Sequence, residues 1–424
     1  MTTLAEPTAQ QSATQAPAPK ALGDRFVGRR YLQLVLVLGA LSAIGPLTID
    51  TYLPALPELS AELGATDAQT QLTITGLLLG LGFGQLIIGP LSDAVGRRKP
   101  LLIGLAAHGL ASLLCALAPS ITVLTITRTL QGLAGAAVAV VAMAVVRDLF
   151  TGYRAAQLLS RLILVLGLAP ILAPSLGSAL MTVTSWQGIF VVLAGTAVLM
   201  FVMALFALPE TLPVERRQPA RLRSSLRSYA TLFSDRLFLA MVGVAGLGFA
   251  TLFAYIAGSP FIFQELYQLT PQQFGLAFGG NAVGLVLTTQ LNPLLVKRYG
   301  PVRILTIAVL VSLAAAVALL MVALSGQGGL VGLMIPLFFL VASAGLSFPN
   351  APAIALSRHG KSAGTAAAVL GAAQFMIGGA IAPIVGALAD GTAVPMAIVM
   401  VGTTGLAVAL MLAAGRGLSS VSYD

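Results

Sequence analysis

The chain has 424 residues, 57% of them hydrophobic and 9% charged, with a formal net charge of +9. The apolar residues come in runs of about twenty, the length that crosses a ~30 Å hydrocarbon core, so a soluble globular fold is excluded and about twelve transmembrane helices fit. A transmembrane barrel needs short alternating strands, which these runs are not, and the basic excess sits in loops, where it reports membrane sidedness instead of nucleic-acid binding.

Residues 1–30 come first as a tail rich in Ala, Pro, Thr and Gln, and no apolar stretch precedes Gly28, so the tail reads as disordered and not as a cleaved signal. Spans are predicted over 31–53, 71–91, 100–118, 121–145, 157–181 and 187–208, then over 238–262, 272–295, 302–324, 330–350, 363–387 and 393–414. Residues 31–208 and 237–414 form two six-helix halves, joined by a linker over 209–236 with Pro209, Pro213, Pro219 and six arginines, and 415–424 is a second tail. A degenerate repeat supports the division: Pro90-Leu91 precedes Gly96 and a basic cluster, and Pro293-Leu294 precedes Lys297, Arg298, Gly300 and Arg303. Transporters built from such halves hold substrate between them near the midplane.

The basic residues sort by side. Lys20, Arg25, Arg29 and Arg30 precede span 1; Arg97, Arg98 and Lys99 follow span 2; Arg147, Arg154 and Arg161 lie around the connection from span 4 to span 5. The linker arginines, Lys297, Arg298, Arg303, Arg358, Lys361 and Arg416 fall on the same side of a twelve-span topology. That side is expected to be cytoplasmic, with both termini there. Arg128, inside span 4, is the exception.

Asp50 lies near the end of span 1, where an ionisable group costs roughly 2.5–3.5 kcal/mol on insertion scales and is retained for use. At ~1.5 Å per residue, Asp50 and Arg128 both sit in the outer half of the membrane. A carboxylate in a low-dielectric cavity holds its proton more readily than in water, and a nearby cation opposes this. The two residues read as a structural ion pair or as a tuned protonation site, and the second is favoured. Span 4 continues with Gln131, Gly132, Gly135, Ala136 and Ala139 on one helical stripe, whose small members allow close helix approach.

Among the other polar residues in spans, His108 reads as bonded to a polar neighbour in preference to a proton relay. Gln71, Gln85, Asn281, Asn292, Asn350 and Gln374 suit interhelical hydrogen bonds, with Asn281 and Gln374 as further substrate-contact candidates. Phe249, Phe253, Tyr255, Phe261 and Phe263 of span 7 either stack on a ligand ring or pack. The single Cys115 allows neither a disulfide framework nor a metal cluster. With no nucleotide loop ending in Gly-Lys-Ser/Thr, ATP is not the expected energy source. An enzyme is expected to carry a His, Asp or Glu cluster at a membrane face, and a sensor a sizeable soluble domain; neither is found.

The stretch Gly89-Pro90-Leu91-Ser92-Asp93-Ala94-Val95-Gly96-Arg97-Arg98-Lys99-Pro100 resembles the signature loop between spans 2 and 3 of the major facilitator superfamily. Asp93 can sit near a helix N-terminus or a cation, and Arg97 or Arg98 can pair with an acid across the mouth, with Asp148 the candidate. Arg128 to Gly132 resembles the span-4 motif of proton-coupled members. In span 5, Gly167, Pro170, Ala173, Pro174 and Gly177 resemble the antiporter motif, with Ala173 and Ser178 at two positions where that motif has glycine. Two prolines four apart predict a bent helix, and the resemblance implies a gating role for Pro170 and Pro174.

Asp50-Thr51-Tyr52-Leu53-Pro54-Ala55-Leu56-Pro57, Arg147-Asp148, Trp186 to Phe190, Ser259-Pro260-Phe261, Phe274-Gly275 and Asn281 together resemble the Bcr/CflA group of drug:proton antiporters. That resemblance covers essentially all twelve spans and implies an all-α major facilitator fold. It implies that Asp50 binds both proton and drug, that Arg128 is structural or coupling, and that Leu252, Phe253, Tyr255 and Ile256 line the pocket. Some relatives carry a second acid earlier in span 1, where this chain has Ser42. The function so implied is proton-driven export of small amphipathic drugs, chloramphenicol-like or bicyclomycin-like, by alternating access in the bacterial cytoplasmic (inner) membrane. Protons are then the coupling ion, with no cofactor and no metal; drug, proton and lipid bilayer are the partners, nucleic acid is not one, and a monomer is expected. A proton symporter importing a small nutrient shares the fold, the loop and Arg128, and is disfavoured by the span-5 pattern.

Overall fold

The computed structural model describes residues 28–150, 152–217, 232–359 and 363–415. Both predicted tails up to residue 27 and beyond residue 415, the linker positions Pro219, Arg221, Arg223 and Arg227, and Lys361 lie outside them, as does the side chain of Arg154.

Long helices dominate, as they must where no water is present to satisfy backbone groups. They are α1 (Arg29–Asp50), α2 (Asp67–Val95), α3 (Arg98–Ala116), α4 (Ile121–Leu149), α5 (Gly152–Leu180) and α6 (Trp186–Ala207). After the central connection come α7 (Arg236–Phe261), α8 (Pro271–Tyr299), α9 (Pro301–Ser325), α10 (Gly329–Leu356), α11 (Ala363–Ala387) and α12 (Val394–Ala413). Among the described residues, eleven helices are long and apolar enough to cross a membrane, and α5 carries a shorter apolar part, Val165–Leu180.

The predicted spans correspond to these helices with shifts at the ends. Span 1 ends at Asp50 and not at residue 53, because Pro54 and Pro57 divert the chain into a 3-10 turn (Leu53–Ala55) and a short helix (Leu56–Glu62). That short helix is tied to the start of α6, where Trp186 Nε1 donates to Glu62 Oε2 at 2.8 Å.

The repeat is clearer in structure than in sequence. Capping boxes at Thr66 with Gln69 and at Thr270 with Gln273 open α2 and α8; both helices run 29 residues, contain Pro90 and Pro293, and end on glycines with positive φ, Gly96 at 97° and Gly300 at 75°. Helix pairing repeats too. In the first six helices α2 packs on α4, α3 on α4 and α6, and α1 on α4, α5 and α6; in the last six α8 packs on α10, α9 on α10 and α12, and α7 on α10, α11 and α12. Two further seams, α2 with α11 and α5 with α8, join the groups.

These seams close on one side. Call the end with Arg97, Arg98, Lys297 and Arg298 the basic face, and the other, where α1 ends at Asp50, the far face. Toward the far face, one apolar cluster takes Tyr52, Leu53 and Trp186 together with Phe253, Phe263 and Phe274. Toward the basic face the core splits: one cluster runs from Leu34 to Leu208 within the first six helices, another from Leu232 to Ala414. Hydrogen bonds across the seams follow suit, with Gln71 Nε2 donating to the Ala257 carbonyl (3.1 Å), Thr75 Oγ1 to Gly379 (2.7 Å), Ser178 Oγ to Pro271 (2.6 Å) and Gln264 Nε2 to Pro54 (3.2 Å).

Candidate functional site: a central cavity with one carboxylate

Between the two groups of helices lies a cavity of about 310 Å³. Helix α1 contributes Ser42, Gly45, Pro46, Ile49 and Asp50, and α7 contributes Phe249, Leu252, Phe253, Tyr255 and Ile256. The remaining wall includes Leu81, Gln85, Pro170, Phe278, Phe348 and Phe375. Aromatic rings on this wall touch one another: Phe249 stands 4.8 Å from Phe348 and 5.6 Å from Phe375 by ring centroids, and Tyr255 stacks on Phe278 at 5.0 Å with 11° between planes. Flat, apolar and polarisable surfaces of this kind suit an aromatic or amphipathic ligand.

Asp50 is the only acidic or basic side chain on this wall among the described residues. It is 5% exposed, and its carboxylate has no hydrogen-bond or ion-pair partner among them. A buried charge without a partner is costly, so the chemistry open to Asp50 is to hold a proton or to meet a ligand.

Arg128 does not supply the missing partner. It is fully buried, with Nη1 donating to the Thr48 carbonyl at 3.1 Å and to Gln131 Oε1 at 2.7 Å, and its guanidinium stands 4.6 Å over the Tyr52 ring and 5.5 Å over Phe190. Nε and Nη2 have no acceptor among the described residues. Gln131 Nε2 donates to Ser112 Oγ at 2.7 Å, and His108 bridges Thr48 Oγ1 (3.3 Å) and the Gln131 carbonyl (3.2 Å). This network lies behind α1, so the two charges sit on different sides of that helix's end and form no ion pair. His108 has the polar neighbours expected of it, and none of its hydrogen-bond partners among the described residues is a carboxylate.

The other sequence-predicted residues sort clearly. Leu252, Phe253, Tyr255, Ile256 and Pro170 line the cavity with Asp50, whereas Asn281, Gln374 and Pro174 do not. Asn281 is buried behind the wall, where Nδ2 donates to the Tyr255 hydroxyl at 3.0 Å. Asn350 Nδ2 donates to Asn292 Oδ1 at 2.6 Å, an interhelical bond of the expected kind. Phe261 and Phe263 pack in the far-face core and miss the cavity.

At the basic face the signature loop forms a charge cluster. Arg97 bridges Asp93 (2.6 Å) and, through Nε, Asp148 (2.9 Å), while Nη1 donates to Ser92 Oγ, whose hydroxyl donates to the Gly89 carbonyl. Arg98 Nη2 takes a different acceptor, the Leu205 carbonyl at 2.7 Å. Sequence reasoning missed Glu210, which accepts the backbone N–H of Arg97 at 2.8 Å and of Arg98 at 3.2 Å. A Cβ at Gly96 would collide with the Glu210 carboxylate, so the glycine leaves room for it as well as turning the chain. Burial alone would push the Glu210 carboxyl up, but the N–H groups of Leu212, Arg97 and Arg98 and the Arg217 guanidinium hold it below the ordinary carboxylate value. Burial opposes charge on Arg97 as well, and Asp148 and Asp93 more than offset it.

Sequence reasoning also missed Phe278, Phe348 and Phe375 on the cavity wall and the Tyr52 ring under Arg128. Only the fold brings those phenylalanines, from α8, α10 and α11, to one place.

Comparison with known proteins agrees with this architecture. An uncharacterized MFS-type transporter of Bacillus subtilis (strain 168), YdgK, is 37% identical over 379 residues, which is 88% of this chain and 93% of that protein. A bicyclomycin resistance protein homolog of Haemophilus influenzae is 31% identical over 366 residues, 86% of this chain and 92% of the relative. The multidrug resistance protein MdtL of Vibrio parahaemolyticus is 28% identical over 335 residues, 79% of this chain and 84% of its own length. In fold, the chain is similar to a D-xylose-proton symporter (TM-score 0.71, 16% identity, 90% of this chain and 96% of that one). It is equally similar to an inward-facing bacterial homolog of the lysosomal transporter Spinster (TM-score 0.72, 14% identity, 92% and 98%). The Major Facilitator Superfamily profile matches residues 36–383, and the chain therefore belongs to that superfamily, as a multi-pass membrane transporter and not an enzyme.

Proposed function

We propose that the protein exports small amphipathic drugs in exchange for protons, with Asp50 as the site where the two compete. One observation carries this reading: Asp50 is the lone carboxylate on an aromatic, apolar cavity wall, without a protein partner among the described residues. A site that cannot hold proton and ligand together couples them in opposite directions. The names of two relatives, a bicyclomycin resistance homolog and a multidrug resistance protein, support drugs as the substrate class.

In this reading the basic face is cytoplasmic, as the loop charges favour, and the protein works as a monomer whose two six-helix halves rock about the cavity. With the far face closed, drug enters from the cytoplasm or inner leaflet and displaces the proton; reprotonation from outside releases it. Leu252, Phe253, Tyr255 and Ile256 hold the apolar part of the drug. Arg97, Asp93, Asp148, Gly96 and Glu210 rearrange as the cytoplasmic side closes, and the prolines of α5 let that helix bend. Drug accumulation in inverted vesicles energised by a pH gradient tests this, with Asp50→Asn as the inactive control. Sensitisation of a deletion strain to drugs, against loss of nutrient uptake, separates export from symport.

A further inference from the structure

The seam between α1 and α5 has a second side, away from the central cavity. There a groove of about 220 Å³ is walled by Val35, Gly39, Ala40 and Ala43 of α1 and by Arg161 and Val165 of α5. The groove is open because its α1 residues are small, and α1 and α5 approach closely in it, where a Cβ on Gly39 would stand at van der Waals distance, 3.6 Å, from Val165 Cγ2.

Arg161 is exposed at the basic-face end of this groove and forms no ion pair among the described residues. Its guanidinium stands 5.7 Å from the Tyr31 ring centroid. Tyr31 lies in the first turn of α1, so the contact sets Arg161 at headgroup level, where tyrosine rings anchor membrane proteins. Exposed Arg29 and Arg30 stand beside Tyr31 in sequence and add positive field. A guanidinium at a lipid-facing position needs a counter-ion, and a phosphate diester matches its planar fork.

We infer that this groove holds one anionic phospholipid, with its phosphate on Arg161 beside Tyr31 and an acyl chain along Gly39, Ala40 and Ala43. The net positive surroundings select an anionic headgroup over a zwitterionic one. Ser42, Pro46 and Ile49, on the adjoining face of the same α1 segment, line the central cavity. The lipid thus sets the spacing of the two helices that carry Asp50 and the α5 prolines.

The test is native mass spectrometry of the purified full chain with phosphatidylglycerol or phosphatidylcholine of identical acyl chains. Wild type retains one phosphatidylglycerol in preference to phosphatidylcholine. Arg161→Gln weakens that retention about ten- to a hundredfold, the range of a charge-assisted hydrogen bond, and Arg161→Lys restores part of it. Ala40→Leu, which fills the groove, also loses the lipid while Arg161 remains; a free phosphate, tested as glycerol phosphate, is not retained by any form. Folding of the Arg161→Gln protein is checked by wild-type transport in pure phosphatidylcholine vesicles. Equal retention of the two lipids, unchanged retention in Arg161→Gln, or indifference to Ala40→Leu overturns the inference, and none of these bears on whether drugs are exported.

Discussion

Arg128 grips α1 through the Thr48 carbonyl, at 3.1 Å, two residues before the chain presents Asp50 to the central cavity. The arginine therefore positions the end of α1 instead of neutralising its acid. The bonds to Thr48 and Gln131 both leave one nitrogen, Nη1, and the lysine nitrogen lies one bond nearer the backbone, so Arg128→Lys withdraws the donor and removes the guanidinium face over Tyr52, a loss expected to cost about 1.5–3 kcal/mol, the worth of hydrogen bonds to a charged group. Detergent-solubilised Arg128→Lys should melt below wild type, and its transport should fall with it; an unchanged melting temperature contradicts the anchoring role.

Asn281 stands behind Tyr255 and fixes its hydroxyl, while Phe278 stacks on the ring. Asn281→Ala removes that one bond, worth about 0.5–1.5 kcal/mol, or roughly two- to tenfold. The expected result is a KM for transport raised within that range with little change in maximal rate. Direct contact between Asn281 and substrate would instead give a larger effect that differs from drug to drug.

At the basic face, Glu210 holds its carboxylate below the ordinary value of 4.5 by accepting three backbone N–H groups. A depressed carboxyl contributes stability that is present above its unfolded value and is lost as pH falls through the folded one. Glu210→Gln should accordingly be less stable than wild type at neutral pH, and the gap should narrow as pH drops below 4.5. Thermal melts of both proteins over that range show it; a gap that widens in acid contradicts the assignment.

The far-face seal depends on α5 touching both halves. A Cβ at Gly177 would collide with the Thr51 carbonyl, and Ser178 Oγ donates to Pro271 of α8 at 2.6 Å. Gly177→Ala should push α5 from α1 and favour a far-face-open state, visible as faster cysteine labelling at the far-face seam. Ser178→Gly, which gives up one hydrogen bond of about 1 kcal/mol, should move labelling in the same direction but less.

The spans, the pseudo-repeat and Asp50 were legible in the sequence because each rests on a local signal: run length, a capped and proline-marked helix, a charge amid apolar residues. The pairing of Arg97 with Asp148 was legible too, since an acid and a base at adjacent span ends leave few choices. The separation of Asp50 from Arg128 was not. Similar depth places two residues in one layer, but which side of a helix each faces depends on the break at Pro54 and on the crossing of α1 over α4. The aromatic wall was hidden for a related reason: Phe278, Phe348 and Phe375 belong to three helices, and nothing local distinguishes them from phenylalanines that pack.

The central claim is that Asp50 exchanges proton for drug. Purified Asp50→Asn, the uncharged counterpart of the protonated acid, reconstituted in vesicles and supplied with a pH gradient, should bind drug more weakly than wild type and drive no accumulation of it. Gradient-driven accumulation by Asp50→Asn at the wild-type rate would contradict the account.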